Sequence, residues 1–490
     1  MDPTPEQEAA VDTYGDGLDM VIQAGAGCGK SSTLKLIARS DPRRRMTYVA
    51  YNKAIAADAA RSFPPSVVCK TGHGLAFDQS FLPRLNRPRQ TAFDAAQALG
   101  VNKILGIVGS PPAIPTDLGT PKAMTSRIIM RVALDTVTRW CHSADPEIRA
   151  KHVPHFDGLT GKEPRTALLA LVLPVALAAW ADLTDERGVL KMSHDHYLKM
   201  WALSEPMIPG DAVLLDEAQD TNDVLSSVLL AQEHAQRIAV GDSSQAIYEW
   251  RGANDALRKF VGALGAPELT LSQSFRFGQP IADRANRWLH TINAPLRLTG
   301  YELCESSVGP VDNPDAVLCR TNAGAMETVM AALDAGRKVA LVGGGGDIQR
   351  LAWAAESLMA GKPTDHPELM AFSSWQAVRD YAEDEDPSLA VLVKLIDDYG
   401  TAGIQAAVKQ LASEDAAELV VSTAHRSKGR EWPKVRIHGD FRAPTPDPKT
   451  GHVILRREEG RLAYVAVTRA REQLDDEALA WVDEVTAVGN

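Results

Sequence analysis

The sequence predicts an α/β protein built on two parallel sheets, each interrupted by a helical insertion. Three observations carry this. Short apolar strands alternate with helical patterns, as in sheets covered on both faces. The alternation falls into two sets that part near Pro267. The first strand also runs straight into a glycine-rich loop that opens a helix, the context a phosphate loop requires.

In order, Met20–Gln23 reads as a strand, 24–33 (AGAGCGKSST) as the loop and Ser32–Ala38 as a helix. Further strands are expected at Tyr48–Ala50, Val213–Leu215, Ile238–Val240, Leu269–Leu271, Ala316–Cys319, Val339–Val342, Leu419–Ser422 and Ala463–Val467. Helical patterns such as Ala54–Phe63 and Ala323–Ala335 separate several of them. Residues 79–205 read as mostly helical, broken by SPPAIPTDLGTP (110–121) and a polar loop around His152–Pro164. Residues 347–418 also read as helices, with an acidic loop at Glu383–Asp386. The expected division is a first core of 1–78 and 206–268 with insertion 79–205. A second core of 269–346 and 419–490 carries the shorter insertion 347–418.

A chain of 490 residues is too long for one compact core and suits two to four domains. The net charge of −11 argues against a protein that coats nucleic acid non-specifically. Local basic grooves are still expected near Arg43–Arg45 and Arg84–Arg89. The five cysteines are scattered and form no C-x-x-C pair, so no zinc or cluster site is suggested and a reducing, cytoplasmic setting is expected. No secretory signal opens the chain. The apolar run Ala167–Ala181 contains Pro174 and falls short of the ~18 residues of a membrane span. It reads as a buried helix in a soluble protein with no membrane partner.

Within the loop, Gly25, Gly27 and Gly29 let backbone N–H groups approach phosphate oxygens. Lys30 brings a positive charge to the β/γ-phosphates, and Ser31 offers a hydroxyl to Mg²⁺. The first loop position is Ala24 where the pattern has glycine, and Cys28 reads as a tolerated small residue. By itself the loop fits a kinase, a GTPase or a transport ATPase. LLDEAQD (214–220) narrows the choice, since Asp216 and Glu217 fall at a strand's C-terminal tip, where open α/β sheets place ligands. Asp216 suits Mg²⁺, and Glu217 suits polarising an attacking water. In GDSSQAIYEWRGA (241–253), Gln245 can sense a γ-phosphate, and Tyr248, Trp250 and Arg251 follow within a few residues. Aromatics beside a cation suit stacking and phosphate contact on a single strand. Tyr51, Asn52, Thr71, His73 and His425 are further candidates for strand contact.

With QSFRF (273–277), VLCRTN (317–322), STAHRSKGREW (422–432) and YVAVTRARE (464–472) added in order, the chain resembles superfamily 1 helicases of the UvrD/Rep/PcrA type. LSQSFRFG and HDHYLKMW (194–201) are more similar to the F-box DNA helicase branch and its bacterial or phage relatives. The resemblance implies two RecA-like motor domains with ATP and Mg²⁺ between them, and a single DNA strand tracked 3′ to 5′. It implies that Lys30, Ser31, Asp216 and Glu217 run hydrolysis and that Gln245, Arg276 and Arg469 contact the γ-phosphate. Ala24, Ala26, Cys28 and Ser32 would line the nucleotide with the loop glycines, Gln7 in PTPEQEAAV would read the adenine, and Glu431 would lie near the ribose. Tyr248, Trp250, Arg251 and His425 would fall on the DNA track. The expected partners are single-stranded DNA and duplex junctions, bound by a monomer. Departures are the short second insertion, Ser31 where threonine is usual, and Arg430 where leucine is frequent. A translocase that mainly strips bound protein, or a nucleotide-gated DNA-binding module, are the alternatives.

Overall fold

The computed structural model describes residues 2–117, 119, 121–156, 158–247, 256–364, 366, 369–370, 372–384, 387–441, 443–444, 446, 451–485 and 487–489. Internal contacts divide the chain into two units, Met1–Gln23 with Lys30–Leu269, and Ala24–Gly29 with Thr270–Asn490. The fold is α/β, with one large sheet in each half of the sequence.

The first half contains β1 (Met20–Ala24), β2 (Met46–Ala50), β3 (Val67–Thr71), the short pair β4 (Ala113–Ile114) and β5 (Lys122–Ala123), β6 (Ala212–Leu215), β7 (Gln236–Gly241) and β8 (Glu268–Leu271). Six of them form a sheet in the order β3-β2-β6-β7-β1-β8. The pairs β2–β3, β2–β6, β6–β7 and β1–β7 are parallel, so the ends of β1, β2, β6 and β7 point one way. β2 and β6 are buried at every position, which is why they read as continuous apolar runs without alternation. β3 (VVCKT) was not anticipated, because Lys70 and the exposed Val68 dilute its pattern.

The insertion is helical as expected and packs around a core that includes Trp140, Val172 and Val175. Its apolar run corrects one expectation. It lies within a 23-residue helix, Lys162–Thr184, whose length and mean hydropathy of 2.0 would suffice to cross a bilayer. Pro174 sits inside that helix, and Leu168, Val172, Ala176, Ala179 and Leu183 are buried in the insertion's core. The basic groove expected at Arg84–Arg89 is also corrected. Arg84 is buried, donating to the carbonyls of Asp182, Leu183, Asp185 and Leu190, and Arg87 donates to those of Gly188 and Leu190. These guanidiniums satisfy the C-terminal carbonyls of a helix and of the loop after it. Arg43 is exposed, whereas Arg44 lies over the Tyr14 ring at 5.1 Å and donates to Gln236.

The second half contains β9 (Ser307–Val308), β10 (Ala316–Cys319), β11 (Val339–Leu341), β12 (Leu419–Thr423), β13 (Trp432–Ile437), β14 (Ile454–Arg456), β15 (Ala470–Asp475) and β16 (Ala487–Gly489). Its sheet, ordered β11-β12-β10-β13-β15-β9, is parallel throughout. The strand expected at Ala463–Val467 is instead the end of a helix, Arg457–Val467, buried from Gly460 onward, and β15 follows it. A short run that is apolar on every side suits a fully buried helix as well as a strand, so periodicity could not separate them. The segment between β11 and β12 holds helices Gly346–Met359, Trp375–Asp384 and Pro387–Gln410.

Candidate nucleotide site and nucleic-acid cleft

The C-terminal tip of β6 gathers the two carboxylates. Asp216 is buried and receives three hydrogen bonds. The Ser31 hydroxyl donates to its Oδ2 at 2.8 Å, the Tyr48 hydroxyl to the same oxygen at 2.6 Å, and the Glu217 N–H to Oδ1 at 2.9 Å. Burial, then the Glu217 charge, pushes the Asp216 carboxyl above its ordinary value, against the Tyr48 bond and Lys30. A cation at this point would reverse that balance. Glu217 takes a left-handed backbone at φ 50°, uncommon for a residue with a side chain and a form of strain found at active sites. Lys30 Nζ lies 3.4 Å from Glu217 Oε1.

Glu217 is tied onward. Gln219 donates to its Oε2 at 2.6 Å and accepts the Asp242 N–H at 2.9 Å. Asp242 in turn accepts from the Gln245 amide at 2.7 Å. Gly241 makes room for this, since a Cβ there would stand 2.3 Å from Gln219 Oε1. A continuous polar chain therefore runs from the β6 carboxylates to the loop after β7. Gln7 accepts the Thr4 N–H in a capping box at its helix start and donates to Thr33 Oγ1 at 3.1 Å.

In the phosphate loop, Gly27 and Gly29 have φ of 77° and 76°, left-handed values that favour glycine. Ala24, Gly25, Ala26 and Cys28 are buried, and Ser32 is exposed. Ser274 donates to the Ala26 carbonyl at 2.8 Å, and the Tyr464 hydroxyl accepts the Ala26 N–H at 3.2 Å. Arg276 donates to Glu431 at 2.6 Å and to the Thr468 carbonyl at 3.1 Å. Arg471 lies 3.7 Å from the other Glu431 oxygen. Arg469 is fully buried, with its guanidinium on the Val465 and Arg430 carbonyls and the Thr468 hydroxyl. It closes the end of the helix Arg457–Val467 in this conformation.

Four of the strand-contact candidates line one cleft. Tyr51, Asn52, Thr71 and His73 share a cavity of about 600 Å³ with Lys53, Phe77, Leu82, His194 and Tyr197. Tyr51 and Phe77 are exposed, and Phe81 stacks on Tyr197 with centroids 5.3 Å apart. Asn52 and Thr71 each accept a backbone N–H as helix caps, at 2.9 Å. Asp195 lies between two imidazoles, 3.0 Å from His73 Nε2 and 3.2 Å from His142 Nε2. His425 is half-buried, just inside the short helix Ala424–Ser427. Tyr248, Trp250 and Arg251 lie outside the described residues.

Two family models match the chain: the UvrD/REP helicase N-terminal domain over residues 207–259 and the UvrD-like helicase C-terminal domain over 371–475. The F-box DNA helicase protein 1 of Schizosaccharomyces pombe is 29% identical over 96% of this chain and 57% of its own length. In both matched segments the chain is similar to the UvrD/Rep-type helicases. The F-box DNA helicase 1 of Gallus gallus is 27% identical over 92% of this chain and 46% of its own length. Escherichia coli DNA helicase II is 35% identical over 121 residues, 24% of this chain and 17% of that protein. The chain thus spans about half the length of the F-box relatives it matches along nearly its whole length.

The structure brings Lys30, Ser31, Asp216 and Glu217 together and links Glu217 to Gln245. Arg276 and Glu431 are paired. The sequence reading missed Tyr48, Asp242, His142 and Asp195. Tyr48 read only as a strand residue, although an aromatic hydroxyl in a fully buried strand needs an acceptor. Cys319, His438 and Asp440 also approach one another closely enough to hold an ion. Both Asp440 oxygens, however, already accept from the Arg320 and Thr321 N–H groups that open the following helix.

Proposed function

We propose that this chain is an ATP-driven motor on single-stranded DNA that works as a 3′-to-5′ helicase. The observation that carries the reading is the polar chain from Lys30, Ser31, Asp216 and Glu217 through Gln219 and Asp242 to Gln245. A nucleotide's state at the carboxylates thereby reaches the loop that continues into Tyr248, Trp250 and Arg251.

The donor set fits the nucleotide and its metal. Ser31 and Asp216 bring two hard oxygens to one buried point, which suits Mg²⁺ held by few protein ligands and by phosphates. When bound, the ion would neutralise charge on the transferring phosphoryl group. Lys30 would bind the β/γ-phosphates, the loop N–H groups would cradle them, and Glu217 would orient and deprotonate the attacking water. Gln219 holds Glu217 in place for this. Gln7 suits the adenine, while Arg276, Arg469 and Glu431 carry the nucleotide roles that the family resemblance implies. Tyr51, His73, Phe77 and Tyr197 offer the cleft a stacking surface, with Lys53 suited to phosphate. The polarity and the monomeric state rest on the family resemblance.

A second reading is a strand translocase that mainly removes bound protein. It is favoured by the shortness of the segment between β11 and β12 and by similarity to the F-box helicases. Fork unwinding and filament removal assayed in one buffer separate the two.

The test is steady-state ATP hydrolysis without nucleic acid, with single-stranded DNA and with single-stranded RNA, at one low salt concentration. Strong stimulation by DNA is expected. Glu217→Gln is expected to lower turnover by at least about 100-fold while single-strand binding survives. A rate indifferent to nucleic acid overturns the motor reading, and full turnover in Glu217→Gln overturns the site.

A further inference from the structure

Asp216 Oδ2 takes two hydroxyl donors from different segments. The Ser31 hydroxyl is the donor the phosphate-loop pattern provides. The other, Tyr48, comes from the neighbouring strand, where its Cα pairs in register with Leu214. Tyr48 is fully buried, and its ring packs on Phe63 with centroids 4.8 Å apart. Its hydroxyl therefore has little freedom to leave. A phenol donating to a carboxylate at 2.6 Å is a short, charge-assisted bond.

With the Glu217 N–H on Oδ1, three donors from three segments fix the rotation of the Asp216 carboxylate. A carboxylate so fixed holds one oxygen on Ser31. The arrangement matches groups that stand behind a metal ligand and hold its orientation.

We propose that Tyr48 is a positioning residue for magnesium-dependent nucleotide binding, acting through Asp216 and not on the nucleotide itself. The inference rests on the assignment of Ser31 and Asp216 as the Mg²⁺ site. It adds the strand-β2 hydroxyl as the group that keeps Asp216 aimed at Ser31. Phenylalanine at this position keeps the ring and its contact with Phe63 and removes only the donor.

The test compares the full-length wild type with Tyr48→Phe. Binding of adenylyl imidodiphosphate is measured by calorimetry without metal and across a Mg²⁺ titration, with thermal unfolding recorded alongside. The expected result is a rise of about 10-fold or more in the Mg²⁺ concentration needed for half-maximal enhancement of binding. Metal-free nucleotide binding and single-stranded DNA affinity are expected to stay within about 2-fold of the wild type, since neither calls on the carboxylate's aim. An unchanged Mg²⁺ requirement overturns the proposal, whether or not the melting temperature falls, because a merely structural hydroxyl would alter stability alone. If Tyr48→Phe does not accumulate folded, Tyr48→Met removes the same hydroxyl and is read by the same criterion. Wild-type protein that binds the analogue with no dependence on Mg²⁺ overturns the underlying site assignment, and this proposal with it. That outcome is distinct from a normal wild type beside an unaltered variant.

Discussion

Asp195→Asn probes the bridge under the cleft. The Asp195 carboxylate sits 3.0 Å from His73 and 3.2 Å from His142, with 30% of the side chain exposed. Asparagine keeps one acceptor oxygen, so one imidazole loses its partner and meets an amide donor instead. A hydrogen bond to a charged acceptor contributes ~1.5–3 kcal/mol when buried. Allowing for solvent screening at this exposure leaves about 1–2 kcal/mol. In a unit of this size that corresponds to a fall in melting temperature of about 2–8 °C. The pH dependence has a definite sign. Burial works to raise the Asp195 carboxyl, but the hydrogen bonds and charges of His142 and His73 outweigh it and hold the group below its ordinary value. The folded state then binds fewer protons than the unfolded chain, so the contribution is present in full above about pH 4–5 and is lost as pH falls through the lowered value. His194 and Lys53 also border the cleft and do not differ between the two proteins. Thermal unfolding of both proteins at pH 7, 5 and 4 measures the gap. A gap below about 1 °C at pH 7 would refute the reasoning.

Two further substitutions test local geometry. Gly27→Ala forces an alanine to φ 77° and sets its Cβ 2.6 Å from Ser274 Oγ and 2.7 Å from Arg276 Cβ. We expect a cost of about 1–3 kcal/mol and weaker nucleotide binding, read by calorimetry, with far-UV circular dichroism unchanged. Arg84→Ala removes a guanidinium donor from four carbonyls, of which that of Leu190 keeps Arg87, and leaves Asp182, 3.5 Å away, without this cation. A loss of about 3–5 kcal/mol by urea unfolding is expected, with Arg84→Lys recovering little because one ammonium does not reach four acceptors.

The strands that carry the site were legible because each is a short apolar run ending in chemistry that needs a strand tip. Val213–Leu215 followed by Asp216 and Glu217 is the clearest case, and the sheet places that tip beside Ser31. Ala463–Val467 was misread for the converse reason: a run buried on every side has no period to reveal whether it is helix or strand. Arg84 and Arg87 looked like surface charge because sequence does not show which guanidiniums turn back onto a helix end. The partners supplied from distant segments were least legible. Nothing in the spacing of Tyr48 and Asp216, or of His73, His142 and Asp195, announces contact, since these meet only once the strand order and the insertion's packing are set.

That limit bears on how the cleft should be understood. Asn52 and Thr71 already have structural work, since each accepts the N–H that starts a helix. Their residue types alone therefore say little about a ligand. What capping uses is one acceptor oxygen apiece, and it leaves the Asn52 amide and the Thr71 hydroxyl proton as donors. Donors are what phosphate and base acceptors require. Asp195 is the opposite case, because a bare carboxylate in a wall that faces a polyanion would repel it. Its two imidazoles cover both oxygens, which keeps its charge from standing alone there. Tyr51 and Phe77 are exposed in the same wall, the Phe77 ring edge-on to Tyr197. On the proposed reading, the donors of Asn52 and Thr71 and the rings of Tyr51, Phe77 and Tyr197 suit a nucleic-acid strand, with the Asp195 carboxylate covered by its imidazoles.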